Sequence, residues 1–357
     1  MTETTTPPAA GISSDELGLA MRNSGMPLEA LRWPITPLGL HYLLIHYDIP
    51  APDVGAWRLA VDGCVARPLS LSLDDLKARE TVSVPVTMEC AGNGRARLEP
   101  HVVSQPWLSE AIGTAEWTGT PLAPLLREVA PTDAAIEVLF TGSDHGVEGG
   151  VAQQYQRSLV LGDAAEAILA WGIGDAPLPP QHGFPLRLVV PGWYGMTNVK
   201  WLERITLVDE PFAGYQQARG YRFRTSEEDP GEPVTRMRVR ALMVPPGVPD
   251  FMTRRRFVGL GPCALAGRAW SGHGAITRVE VSADGGRSWE DAALGDAPGP
   301  HAWRAWSYTW APAAEGDYEL RCRATDDEGN TQPAEAQWNV GGYANNAVQR
   351  VAVTVTG

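Results

Sequence analysis

Val86-Thr87-Met88-Glu89-Cys90-Ala91-Gly92-Asn93-Gly94-Arg95 is the stretch on which the reading of this chain turns. A β-type run, Val82-Ser83-Val84-Pro85-Val86-Thr87-Met88, delivers one cysteine to the start of a Gly-Asn-Gly turn, with a guanidinium just beyond it. A cysteine thiolate is a good ligand for soft transition metals. At a strand end it sits on a rigid element yet points into a loop-built pocket. Gly92 and Gly94 let the backbone approach a bulky group closely, and Asn93 tolerates a positive φ. Arg95 is placed to lower the thiol pKa and to hold an oxyanion nearby. The same residues also describe a buried structural cysteine in a strand-turn, and local chemistry leaves both readings open.

At 357 residues the chain exceeds what one core usually supports, so two domains are expected. A hydrophobic share of 44% and a charged share of 20% fit a soluble globular protein. The net charge of −13 argues against nucleic acid and anionic membranes as partners. No apolar stretch reaches the roughly 18 residues a membrane helix needs. The opening residues have neither a basic nor an apolar signal region, so the expected location is cytoplasmic, or periplasmic for a processed chain. Cys64, Cys90, Cys263 and Cys322 form no CxxC or CxxCH pattern, which leaves no motif for an iron–sulfur cluster or c-type haem.

Residues 1–35 read as an N-terminal extension with one capped helix over Ser14–Arg22. Over 36–230 short strands alternate with short helices, the pattern of an α+β domain rather than a regular βαβ repeat. The turn-rich Glu227–Pro233 marks a boundary. From 234 to 357 the pattern is all-β, and Cys263, Trp289 and Cys322 fall where an immunoglobulin-like sandwich places its Cys, Trp and Cys. Both cysteines are expected to be reduced core residues.

The motif Glu89–Arg95 resembles the molybdenum-ligand motif of the sulfite oxidase family of molybdopterin enzymes. His182-Gly183-Phe184-Pro185-Leu186-Arg187 and Gly195-Met196-Thr197-Asn198-Val199-Lys200 are similar to its pterin-binding block. Arg268–Gly272, Val279–Trp289 and Ala324–Pro333 are similar to parts of its dimerisation domain. The resemblance runs in order from about Thr36 to the end. It implies a mixed α+β molybdopterin domain followed by an immunoglobulin-like sandwich, with no haem domain.

It also implies roles. Cys90 matches the metal-binding thiolate, Arg95 and Tyr221 match residues of the substrate pocket, and Trp107 matches a wall of it. His182, Arg187, Thr197, Asn198 and Lys200 match residues that hold the pterin and its phosphate, and Asp144 a polar position beside it. A phosphate ester needs cations and a planar pterin needs hydrogen-bonding side chains, so the residue types agree.

Two departures stand out. In Leu44-Ile45-His46-Tyr47-Asp48-Ile49-Pro50, His46 takes the place of a substrate-facing arginine, Tyr47 falls on the neighbouring pterin position, and Asp48 replaces a pterin-contacting histidine. Gly272-His273-Gly274-Ala275 lacks a second anion-binding arginine. The expected activity is molybdenum-dependent oxygen-atom transfer, foremost sulfite to sulfate, with electrons leaving to a cytochrome or other external carrier. The alternatives are reduction of nitrate or of an S- or N-oxide, and a cofactor-free scaffold. A homodimer formed through the C-terminal domain is expected, because Trp303, Trp306, Trp310 and Trp338 exceed the needs of one small core. If His46 supplies the missing charge, anion binding weakens as pH rises through 6–7.

Overall fold

Strands Leu59–Gly63 and Leu202–Val208 run parallel at the centre of a five-stranded sheet, flanked by Leu69–Leu71 on one side and by Glu137–Glu148 and Val151–Val160 on the other. The computed structural model describes residues 11–357. A second sheet joins Val82–Glu89, Ile112–Pro121, Ile168–Ile173 and Ala176–Pro177, with Arg187–Val189 beside Ala176–Pro177 on the same edge of Ile168–Ile173. Helix Leu122–Val129 buries Leu122, Leu125, Leu126 and Val129, one i, i+3, i+4, i+7 face. That face joins Leu59, Val61, Phe140 and Ile205 of the first sheet to Leu169 and Leu188 of the second in one core. The short helix Leu73–Lys77 starts at Ser72, whose hydroxyl accepts from Asp75 N while the Asp75 carboxylate accepts from Ser72 N.

The second half is a sandwich of a four-stranded sheet, centred on Cys263–Trp270, and a six-stranded sheet centred on Gly316–Asp326 and Gln349–Thr356. Val281, Trp306, Trp310, Leu320, Cys322 and Val353 fill it. The central tryptophan is therefore not Trp289, which lies half-buried with the Arg323 guanidinium 4.2 Å from its ring. Its position after the turn Asp284–Ser288 puts it at a strand end, where a charged neighbour can stack on it. All four cysteines are free; Cys322 is buried and Cys263 only half so.

A third apolar cluster lies between the halves. Met26, Ala30 and Leu31 pack with Tyr194 and Tyr221 from one side and Met237, Trp270 and Trp303 from the other. Residues from Met26 onward are thus a wedge between the halves rather than an extension. The tryptophans are also accounted for internally. Trp303 donates to Pro34 O at 2.7 Å in that seam, Trp306 and Trp310 fill the sandwich, and Trp338 donates to Pro100 O at 2.9 Å. They do not mark a partner surface. Among the described residues no helix is long and apolar enough to cross a membrane.

Candidate cofactor cleft

Strand Val82–Glu89 is the edge of its sheet, which is why Pro85 is tolerated there. From Val86 on every residue is buried, because a loop of the sandwich covers the free edge. Thr87 N donates to His301 O at 2.9 Å and Trp303 N donates to Thr87 Oγ1 at 2.7 Å. The Glu89 carboxylate pairs with Arg240 at 2.6 Å and accepts from Trp270 Nε1 at 2.9 Å, both from the sandwich. Asn93 does not adopt a positive φ. Its side chain is a brace, with Nδ2 donating to Glu89 Oε1 and Oδ1 accepting from Ala111 N. Gly94 takes the left-handed turn at φ 93°. Ala344 N donates to Ala91 O at 2.8 Å and Asn345 Nδ2 to Gly94 O at 2.9 Å, so a second sandwich loop clamps the cysteine turn.

This scaffold places Cys90 at a cleft of about 600 Å³, its open mouth included. The thiol is buried, and burial raises its pKa despite the opposing pull of Arg95. The cleft lining falls into two groups.

The first group is polar. A bulge between Thr141 and His145 interrupts the strand and turns Asp144 inward, as bulges do when they re-aim a side chain. Arg187 Nη1 donates to His182 O and Nη2 to Asn198 O, with the guanidinium 4.6 Å from the Trp117 ring. Lys200 Nζ donates to Leu44 O at 2.7 Å and to Gln181 O at 3.2 Å. Burial lowers the Lys200 pKa and raises that of Asp144. His41 and His182 are pushed down to about 4 and about 2, first by burial. The Asn198 side chain is spent on its own loop, donating to Tyr194 O and accepting from Val190 N.

The second group is aromatic. His46 Nε2 and Tyr221 Oη are 2.6 Å apart, and the His46 and Tyr155 rings are 4.9 Å apart. Tyr343, from the clamping loop, lies 5.1 Å from Tyr221 between ring centroids. His46 is pushed down to about 3 by burial, then by Lys200 and Arg95, so it is neutral across the ordinary pH range. The expected titration of His46 near pH 6–7 is therefore corrected; Asp48 is exposed and does not raise it.

Of the residues singled out from the sequence, Cys90, His46, Tyr221, Asp144, His182, Arg187, Asn198 and Lys200 line one cleft. Arg95, Trp107 and Thr197 are buried behind its lining. The Arg95 guanidinium is partly engaged, with Nε donating to Gly341 O at 2.9 Å and Nη1 to Gln105 O at 3.3 Å. A Cβ on Gly92 would meet that guanidinium at 2.7 Å, so Gly92 seats Arg95 rather than an external group. Tyr47 and Asp48 do not line the cleft. The Tyr47 hydroxyl donates to Glu148 Oε2, and Asp48 accepts from Ile49 N. The chain is irregular there, and only alternate side chains, Leu44 and His46, reach inward. His273 is exposed on the far loop. Sequence reading missed His41, Tyr42, Tyr155 and Tyr343.

The cleft fits an organic cofactor that carries its own metal. His41 Nε2, Asp144 Oδ1, Arg187 Nε and Thr197 Oγ1 are buried without a partner, an arrangement that costs stability unless a ligand satisfies it. Among the described residues no three His, Cys, Asp or Glu side chains converge as metal ligands. A metal at Cys90 must therefore bring most of its ligands with it.

Two family models describe the chain: an oxidoreductase molybdopterin binding domain over residues 46–216 and a Mo-co oxidoreductase dimerisation domain over 232–356. The chain belongs to the molybdopterin-dependent oxidoreductases of the sulfite oxidase and nitrate reductase type, whose cofactor is molybdenum held by molybdopterin. Among curated relatives, human mitochondrial sulfite oxidase is 36% identical over 349 residues, covering 90% of this chain and 62% of that protein. A barley protein named nitrate reductase [NAD(P)H] is 33% identical over 366 residues, covering 93% of this chain and 41% of its own length. The chain thus spans less than two thirds of either. The sulfane dehydrogenase SoxCD from Paracoccus pantotrophus superposes with a TM-score of 0.80 at 24% identity, covering 100% of this chain and 95% of that one, a likeness of fold.

Proposed function

We infer that the chain catalyses oxygen-atom transfer at a molybdenum centre bound through Cys90. The observation that carries this reading is a buried thiol in a cleft whose lining also holds unpartnered polar atoms of His41, Asp144 and Arg187 and the two cations Arg187 and Lys200. When bound, the molybdenum cofactor supplies two-electron exchange of an oxygen atom with the substrate. Arg187 and Lys200 are assigned to the cofactor's phosphate and pterin together with His182, Asp144 and Thr197, while Asn198 shapes the loop that presents them. Tyr221 and His46 are assigned to the substrate's oxygen, each able to give or accept one hydrogen bond. Tyr155, in the lining, helps exclude water, and Trp107 packs behind it.

Sulfite is the first substrate to try, because relatives of similar length in this region carry that name. Its oxidation, sulfite plus water to sulfate with two protons and two electrons, requires an external one-electron carrier. Reduction of an oxygenated substrate is the second reading, favoured by the engagement of Arg95 Nε and Nη1 with backbone carbonyls. A homodimer through residues 232–356 belongs to the same reading. The test measures molybdenum and, after oxidation, pterin fluorescence per chain, then substrate-dependent dye turnover. A purified chain without molybdenum or pterin overturns it.

A further inference from the structure

A second cavity, of about 720 Å³ with its open mouth, lies in the seam between the two halves and shares no lining residue with the Cys90 cleft. The first half contributes Arg97 and Ser109, and the sandwich contributes Arg240, Asn345, Gln349 and Arg350. Ser109, Arg240, Asn345 and Gln349 are each more than nine-tenths buried, so the polar floor is built into the fold. Arg240 gives Nη1 to Glu89, while its Nε is buried without a partner. Gln349 Oε1 accepts from Met243 N, which leaves the amide nitrogen of that side chain as the group still to be bonded. Arg97 is exposed on the rim, and no hydrogen bond or ion pair occupies its guanidinium among the described residues. Three carboxylates lie near. Glu89 sits beneath Arg240, with Asn93 and Trp270 on its remaining acceptor positions. Glu110 attracts Arg97, against the repulsion of Arg240 and Arg350. Glu335, 79% exposed, pairs with Arg350 at 2.5 Å. An exposed pair of that kind binds its partners weakly.

We propose that this cavity binds a small tetrahedral dianion of the sulfate or phosphate class, between Arg97 and Arg350 and over Arg240. The site is independent of the molybdenum reading, since none of its residues belongs to the cleft. Such an ion carries more charge than Glu335 and offers several acceptor oxygens, the geometry that guanidinium forks match best. It takes the place of the Glu335 carboxylate on Arg350 and adds Arg97, a cation from the other half of the chain. Arg97 N donates to Gly94 O at 3.1 Å, and Asn345 Nδ2 donates to the same carbonyl at 2.9 Å. Both sides of the cavity are therefore already joined to the turn that carries Cys90. A bound dianion acts as a further brace between the halves, beside the Glu89–Arg240 pair.

The test titrates the full-length protein calorimetrically with sulfate, inorganic phosphate and nitrate, at an ionic strength kept constant with chloride. Sulfate and phosphate are expected to bind about tenfold or more tightly than nitrate, a planar monoanion with fewer oxygens to share among the guanidiniums. Nitrate binding as tightly overturns the proposal. Arg97→Ala is expected to weaken sulfate about tenfold or more, the usual loss of a charge-assisted hydrogen bond, and Arg97→Glu to abolish binding. Lys200→Ala, which alters the cleft and not this cavity, should leave sulfate within about twofold. Sulfate binding unchanged in Arg97→Ala, or lost in Lys200→Ala, places the ion elsewhere and overturns the proposal. Thermal unfolding supplies a second readout. Sulfate stabilises proteins in general through exclusion from their surface, and that part is common to all variants. The rise in midpoint over chloride is expected to be larger in the wild type than in Arg97→Ala, and equal rises overturn the proposal as well.

Discussion

Glu89, the residue immediately before Cys90, forms a buried ion pair with Arg240 of the C-terminal sandwich at 2.6 Å, with both side chains at most 4% exposed. Asn93 Nδ2 and Trp270 Nε1 satisfy the remaining acceptor positions of the carboxylate. The cysteine turn is thus fixed from the outside by the second half of the chain, and the loop Asn339–Asn345 clamps it again through Ala91, Gly94 and Arg95. The proposed metal ligand and the dimerisation module form one mechanical unit.

Arg240→Ala is expected to destabilise the protein by about 3–5 kcal/mol, the usual cost of stranding a buried charge. The double variant Glu89→Gln with Arg240→Met should recover part of that loss, since it removes both charges together. Urea denaturation of the apo protein measures both. An Arg240→Ala loss under about 1 kcal/mol would show that water reaches Glu89 and that the pair is not a structural anchor.

Cys90→Ser should lower turnover by about a hundredfold or more while leaving the fold intact, because a hydroxyl replaces the thiol in size but is a poor ligand for a soft metal. The measurements are dye-coupled activity and thermal unfolding on the same preparation. Undiminished turnover in molybdenum-loaded Cys90→Ser would remove Cys90 from its assigned role.

Lys200→Ala and Arg187→Ala should reduce pterin and molybdenum occupancy severalfold, with turnover per molybdenum much less affected. Each removes a cation from the polar lining of the cleft. Arg187→Ala should also unfold at lower denaturant, since its side chain ties His182 O to Asn198 O across the loop and covers Trp117. Full occupancy with collapsed turnover would move these residues from the cofactor to the substrate.

Much of this architecture was legible in the sequence. The apolar face of Leu122–Val129, the cap at Ser72 and the all-β pattern after Pro233 each follow from local periodicity and turn chemistry. The blocks around Cys90 and His182 located the cleft. What escaped was decided by contacts between distant segments. Nothing near Tyr343 announces that it will stand over Arg95, 248 positions away by their numbering, and nothing in Gly92 distinguishes room for a ligand from room for its own neighbour's guanidinium. Tyr47 and Asp48 were misplaced for a related reason. An irregular segment has no period from which to read which side chains face inward. Trp289 failed because a tryptophan stacked under an arginine at the surface has the same sequence as one in a core.

The buried histidines set the acid limit of the apo protein. His41 and His182 have folded pKa values of about 4 and about 2, depressed from 6.5 chiefly by burial. Groups depressed in this way favour the folded state above the unfolded pKa, and the benefit is lost as pH falls toward the folded value, because the unfolded chain binds protons that the folded chain refuses. Between pH 7.5 and 5.5 each costs about 1.4 kcal/mol, so the pair removes about 3 kcal/mol. His46 acts in the same direction. Asp144 opposes it, since a carboxyl whose pKa is raised by burial stabilises the fold as it protonates, whereas Lys200, depressed by burial, adds to the loss. The denaturation midpoint of apo protein is therefore expected to fall steadily from pH 7.5 to 5.5, and His41→Gln with His182→Gln should flatten that slope. A slope unchanged in the double variant would mean that these rings take up protons while the protein remains folded, with water reaching His41 Nε2, which has no protein partner.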